Sequence, residues 1–152
     1  MFSTYNYLFL FTLLSLVLVC SCNRDSLSDL RGEADQMIRS SKTLLFWVYD
    51  EIHVREIETI KSPKLHQKYR NCGAAYTKAI NALIMSQDSL KSGDYKKLPH
   101  LAIIALEQTE YCDYIFMPPE NETRFKNLSL KAISACKNVL EVARRLASGI
   151  PT

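Results

Sequence analysis

Apolar residues recur along this chain at the three- and four-residue steps of a helix rather than the two-residue step of a strand. Leu27, Leu30, Ala34, Met37, Ser41, Leu45, Val48 and Ile52 form a first series. A second links Leu65, Tyr69, Cys72, Tyr76, Ala79 and Leu83, and a third Ala102, Ala105, Thr109, Cys112 and Phe116. The last runs through Leu128, Ala132, Ala135, Val139, Val142 and Leu146. Each keeps one stripe toward a shared core. The breaks between series are chemical. Ser62-Pro63 ends the first, because proline lacks the N–H and disfavours helix at the residue before it. At Ser92-Gly93-Asp94, glycine can close a helix in the left-handed conformation and Asp94 can cap the next. Pro118-Pro119 ends the third series, and Gly149 and Pro151 end the fourth. Pro99 places the regular start of the third helix near Leu98. The pattern predicts an all-α fold, an up-down-up-down antiparallel four-helix bundle with short connections.

The first 22 residues carry no charged side chain, and from Tyr7 to Cys20 they are almost wholly apolar. That run is short for a membrane span of about 20 residues. It suits the apolar region of a secretory signal ending at Cys20-Ser21-Cys22. We therefore expect a signal peptide at 1–22 and a bundle domain at 23–152, secreted and with no stable membrane association after signal removal. A signal anchor or a lipoprotein signal is the other reading, since no Lys or Arg precedes the apolar run. Asn121-Glu-Thr and Asn127-Leu-Ser are N-glycosylation sequons, so Asn121 and Asn127 are candidate glycan sites. The net charge of +3 lies wholly beyond the leader. It is too small, and too little interleaved with aromatics, for a nucleic-acid surface.

Little in the chain argues for catalysis. The three histidines, His53, His66 and His100, form no ligand motif, although His53 has Asp50 and Glu56 at helical spacing. There is no nucleophile elbow, no phosphate-cradling glycine loop and no Cys-x-x-Cys pair. No enzyme activity, cofactor or metal is expected. Phe46 and Trp47 are expected to complete the core or to fill a cleft between helix ends. Cys72 and Cys112 fall on the core stripes of the second and third helices, equally distant in sequence from the turn at residue 92. Antiparallel helices reversing there bring the two to one height, with Cα atoms about 5–6 Å apart as a disulfide requires. A nucleophile would need a base that the sequence does not supply. The spacing predicts a Cys72–Cys112 staple and leaves Cys136 a buried free thiol on the fourth helix.

From Leu65 to Leu146 the chain resembles the plant invertase/pectin methylesterase inhibitor domain family. The likeness is carried by YRNCGAAYTKAI, SLKSGDYKKL, ALEQTEYCDYIF and LSLKAISACKNVLEVARRL, and more diffusely by LSDLRGEADQMIRSSKTLL in the first bundle helix. The two cysteines fall where that family bridges its second and third bundle helices. The resemblance implies a protein of the extracellular space, the apoplast or cell wall. It would bind a plant carbohydrate-active enzyme, pectin methylesterase or acid invertase, and block its active-site cleft without chemistry of its own. Two features depart from the family pattern. Its domains open with a helical hairpin stapled by a further cysteine pair, which is expected to be missing here. Its invertase inhibitors can carry Pro-Lys-Phe after the Gly-Asp of the turn, where this chain reads Tyr95-Lys96-Lys97. That departure favours pectin methylesterase. The alternative is a hairpin-less relative without inhibitory activity that binds pectate or another extracellular partner.

Two groups of residues are candidates for the partner interface. One is the turn Asp94, Tyr95, Lys96 and Lys97, where a tyrosine stands among charges. The other is a basic stripe on the second helix formed by Lys64 and Lys68 with Lys78.

Overall fold

Proline and glycine set the helix ends. The computed structural model describes residues 3–116 and 123–149, with side chains at 27–116 and 125–149. Its helices are α1 (Ser3–Glu58), α2 (Pro63–Ser92), α3 (Leu98–Ile115) and α4 (Thr123–Ser148), with a 3-10 turn at Tyr95–Lys97. Pro63 and Pro99 both occupy the first turn of their helices, where no backbone N–H is needed. Gly93 closes α2 at φ 78°, its N–H bonding the Leu90 carbonyl while the N–H of Asp94 reaches Ser89. A side chain there is strained, so Gly93→Ala is expected to cost about 1 kcal/mol, read as a lower urea midpoint with unchanged slope.

Among the described residues each helix packs on its two neighbours in the ring and on no diagonal partner. With the chain reversing between successive helices, this is the expected up-down-up-down bundle. The same residues include no strand, and no helix long and apolar enough to cross a membrane. The expected signal cleavage site, Pro118-Pro119 and Asn121 lie outside the residues whose side chains are described.

Most of the four stripes are buried, including Leu45, Val48, Tyr69, Tyr76, Leu83, Ala105 and Val139. The first begins at Leu30 rather than Leu27, which is 40% exposed, and gains Ile38. Phe46 and Trp47 correct the expectation made for them: they are 45% and 71% exposed. Successive helical residues turn by about 100°, so Trp47 cannot share the face of Leu45 and Val48. It lines a groove on the flank of the bundle, between α1 and α4.

Where α1 ends and α2 begins, His66 Nδ1 donates to the Glu56 carbonyl at 2.8 Å, which satisfies an acceptor at the α1 terminus. At the same end Phe116 packs against Tyr69 and Phe125, with ring centroids 4.8 and 5.1 Å away. These rings tie the ends of α2, α3 and α4 together.

Candidate functional site

The second and third helices are joined covalently. Cys72 and Cys112 form a disulfide across 40 residues, with Cα atoms 4.9 Å apart and both side chains fully buried. Their position on facing core stripes puts the bond inside the bundle, where it fixes α2 against α3 and leaves the outer face of the pair free to present side chains.

That outer face holds a groove of about 730 Å³. On α2 the residues at 78, 81, 82, 85 and 88 share one face by their three- and four-residue spacing. On α3 the residues at 100, 101 and 104 do the same, with Lys97 of the preceding turn beside them. Ala82 and Leu101, both buried, make the floor, and the small side chain of Ala82 leaves the depth. Met85, 57% exposed, and half-buried Ile104 form the walls. Lys78, Asp88, Lys97 and His100 stand at the rim. An apolar floor with methionine and a charged rim is the composition of a protein-binding patch, in which the core of the contact is apolar and the margin polar.

The two predicted interface groups do not come together. Asp94, Tyr95, Lys96 and Lys97 lie at the end where α2 finishes, next to the groove. Lys64 and Lys68 lie at the end where it begins. Along α2 the separation from Lys68 to Asp94 is about 40 Å at the rise of a helix. One compact contact cannot use both.

Within the turn, Asp94 does not cap α3. Its carboxylate instead accepts an ion pair from Lys97 Nζ at 2.7 Å, which raises the lysine above its ordinary pKa. Tyr95 is half-buried and packs on the core, so its ring anchors the turn to the bundle. Lys96 and Lys97 remain exposed. At the far end, the Lys68 ammonium sits 5.8 Å from the Phe116 ring centroid, a cation–π contact that takes it out of a simple solvated stripe. Lys64 is exposed there. Lys78 joins the turn instead, as a rim residue of the groove. Sequence reasoning did not assign Met85, His100 or Ile104 to an interface. Met85 follows Lys78 by seven residues, so an apolar residue on an otherwise polar helix face was the available signal.

Among the described residues, the remaining polar clusters are pairwise contacts within and between helices. His53 Nδ1 lies 3.8 Å from Glu56 Oε2, and His66 Nε2 is 4.0 Å from Glu56 Oε1. No group of three metal-ligating side chains occurs among the described residues. Lys42 donates to Gln87 at 2.9 Å and Gln87 to Asp35 at 3.4 Å, which links α1 to α2. The Arg39 guanidinium, 2.7 Å from Asp35, holds that carboxyl below its ordinary value.

Cys136 is free and fully buried on α4. Burial pushes its thiol from 9.0 up to about 11; the Thr109 hydroxyl opposes the shift and the Glu110 charge adds to it. Tyr76 is raised in the same direction, chiefly by burial. The folded thiol therefore keeps its proton where the unfolded one has lost it. The corresponding stability is complete below pH 9.0 and is lost as pH rises toward about 11. By about pH 10, Cys136 alone is expected to lower the unfolding free energy by about 1 kcal/mol. Urea midpoints at neutral and alkaline pH measure this. An aromatic disulfide reagent near neutral pH should label Cys136 only after unfolding.

No protein-family model matches the chain. A pectinesterase inhibitor from Actinidia deliciosa is 33% identical over 85 residues, which cover 55% of this chain and 46% of that protein. The chain thus matches about half the length of this curated relative. The crystal structure of a pectin methylesterase inhibitor from Arabidopsis thaliana superposes with a TM-score of 0.71 at 19% identity, covering 77% of this chain and 78% of the other. A mutant form of a pectin methylesterase inhibitor from Arabidopsis gives 0.70 at 20% identity, over 76% and 77%. The four-helix bundle described above is therefore the fold of those inhibitors.

Proposed function

We propose that the chain is a secreted inhibitor that binds a pectin methylesterase and blocks its active-site cleft as a protein–protein complex. The observation that carries the reading is the 33% identity to a pectinesterase inhibitor over 85 residues, on a chain that has the bundle of such inhibitors. The geometry supports it: a rigid, disulfide-joined helix pair presents an apolar groove with a charged rim. We place the contact on the α2–α3 groove and the adjoining turn. Apolar area and a methionine there can be desolvated on docking, whereas Lys64 and Lys68 at the other end offer mainly rim charge. Pectin methylesterase is preferred to acid invertase because the turn reads Tyr95-Lys96-Lys97 and the relatives just described are inhibitors of the former.

Size-exclusion chromatography of the purified chain with each enzyme tests the choice of partner. The expected result is a one-to-one complex with a plant pectin methylesterase and separate elution from an acid invertase. Elution with the invertase alone would reverse the assignment. Retention on pectate with neither enzyme bound would favour the polysaccharide-binding alternative.

A further inference from the structure

A single tryptophan occurs in the chain, and it stands 71% exposed on the flank of the bundle. It lines a groove of about 640 Å³ between α1 and α4. Val54 and Leu128 continue the apolar surface, and Asp50, Asn127 and Lys131 supply polar groups at its margin. Val54 is itself 50% exposed. An indole left this open beside other apolar side chains is a costly surface unless something covers it. The groove contains its own attachment point. Asn127 is exposed and is the acceptor residue of the sequon Asn127-Leu128-Ser129.

We infer that Asn127 carries an N-linked glycan whose first sugar lies over the indole of Trp47. A pyranose ring has one face of C–H groups, which packs on an aromatic plane, and hydroxyls at its edge. The Asp50 carboxylate can accept from those hydroxyls, and the Lys131 ammonium can donate to them. The occupant is therefore neutral and covalently tethered. The inference goes beyond the inhibitor reading and does not depend on it; it requires only passage through a glycosylating compartment.

Ser129 is fully buried, and its hydroxyl lies beside that of Tyr76 inside the bundle. In the unfolded chain the same hydroxyl completes the sequon. Its burial fixes the order of events, since transfer must precede docking of α4. The donor is an oligosaccharide linked to a lipid pyrophosphate. A bond forms between Asn127 Nδ2 and C1 of the first N-acetylglucosamine, the C1–O bond to the pyrophosphate breaks, and the lipid pyrophosphate leaves with the electron pair. One amide proton is released.

The test uses the full chain behind a yeast secretion leader, with Asn121→Gln to isolate the second sequon. Glycopeptide mapping reads occupancy of Asn127, and acrylamide quenching reads Trp47 alone. Covering one face of the indole should lower the quenching constant about twofold relative to Asn127→Gln. Trimming with an endoglycosidase that leaves one N-acetylglucosamine should retain that protection, and complete removal of the glycan should abolish it. An unmodified Asn127 in the secreted protein overturns the inference. So does an occupied Asn127 with quenching equal to that of Asn127→Gln, or protection that disappears when only the outer sugars are trimmed.

Discussion

Replacing both Cys72 and Cys112 with alanine is expected to lower the melting temperature by about 15 °C, the largest single effect on this fold. The disulfide closes a loop spanning 40 residues of separation. In the chain-entropy description, a loop of that size restricts the unfolded state by about 4 kcal/mol, a large share of the stability of a small domain. Both sulfurs are buried, so truncation also leaves a small cavity, which adds to the loss. Reduction of the wild-type chain should reproduce most of the shift, because it removes the cross-link without removing atoms. The far-ultraviolet helical signal should persist below the new midpoint, since the stripes of all four helices remain. Differential scanning calorimetry of the oxidised, reduced and double-alanine forms measures all three. Equal midpoints for the three would mean that the bond adds nothing beyond the packing.

The staple was legible in the sequence because it depends on two simple quantities, helical phase and distance from a turn. Cys72 and Cys112 share the core stripes and stand equally far from residue 92, and Gly93 does close α2 in the left-handed conformation. Pro99 likewise placed the start of α3 at Leu98. Side chains whose position depends on three-dimensional neighbours were less legible. Asp94 had the chemistry of a cap but found Lys97 three residues on, and an ion pair competed successfully with the backbone. Trp47 looked like core by hydrophobicity, while its helical phase put it outside. The groove between α2 and α3 could not be read from either helix alone, because its floor and walls come from both. The same limit applied to the lysines: a stripe along one helix took no account of a length that places Lys64 and Asp94 at opposite ends of the bundle.

Reversing charge and polarity in the groove is expected to raise the inhibition constant by about 100-fold without unfolding the protein. The variant is Met85→Glu with Lys97→Glu. Met85 is 57% exposed and Lys97 has a side chain 70% exposed, so neither substitution disturbs the core. A carboxylate at position 85 would be desolvated against the partner without compensation, and the second would stand beside Asp94 as a like charge. The control is Lys64→Glu, exposed at the opposite end of α2, which should leave inhibition within about twofold because a surface charge outside the contact acts only through a screened field. Weak inhibition by Lys64→Glu together with full inhibition by the groove variant would move the contact to the other end of the bundle. Unchanged melting temperatures in both variants separate a lost contact from a lost fold.

The most direct measurement is the initial rate of pectin de-esterification by a plant pectin methylesterase as the purified, oxidised chain is titrated in. The expected rate falls in proportion to added chain and approaches zero near one equivalent when the enzyme concentration exceeds the dissociation constant, with the groove variant shifted to higher concentration. A rate that stays at its starting value at micromolar chain, across the pectin methylesterases tried, contradicts inhibition of those enzymes.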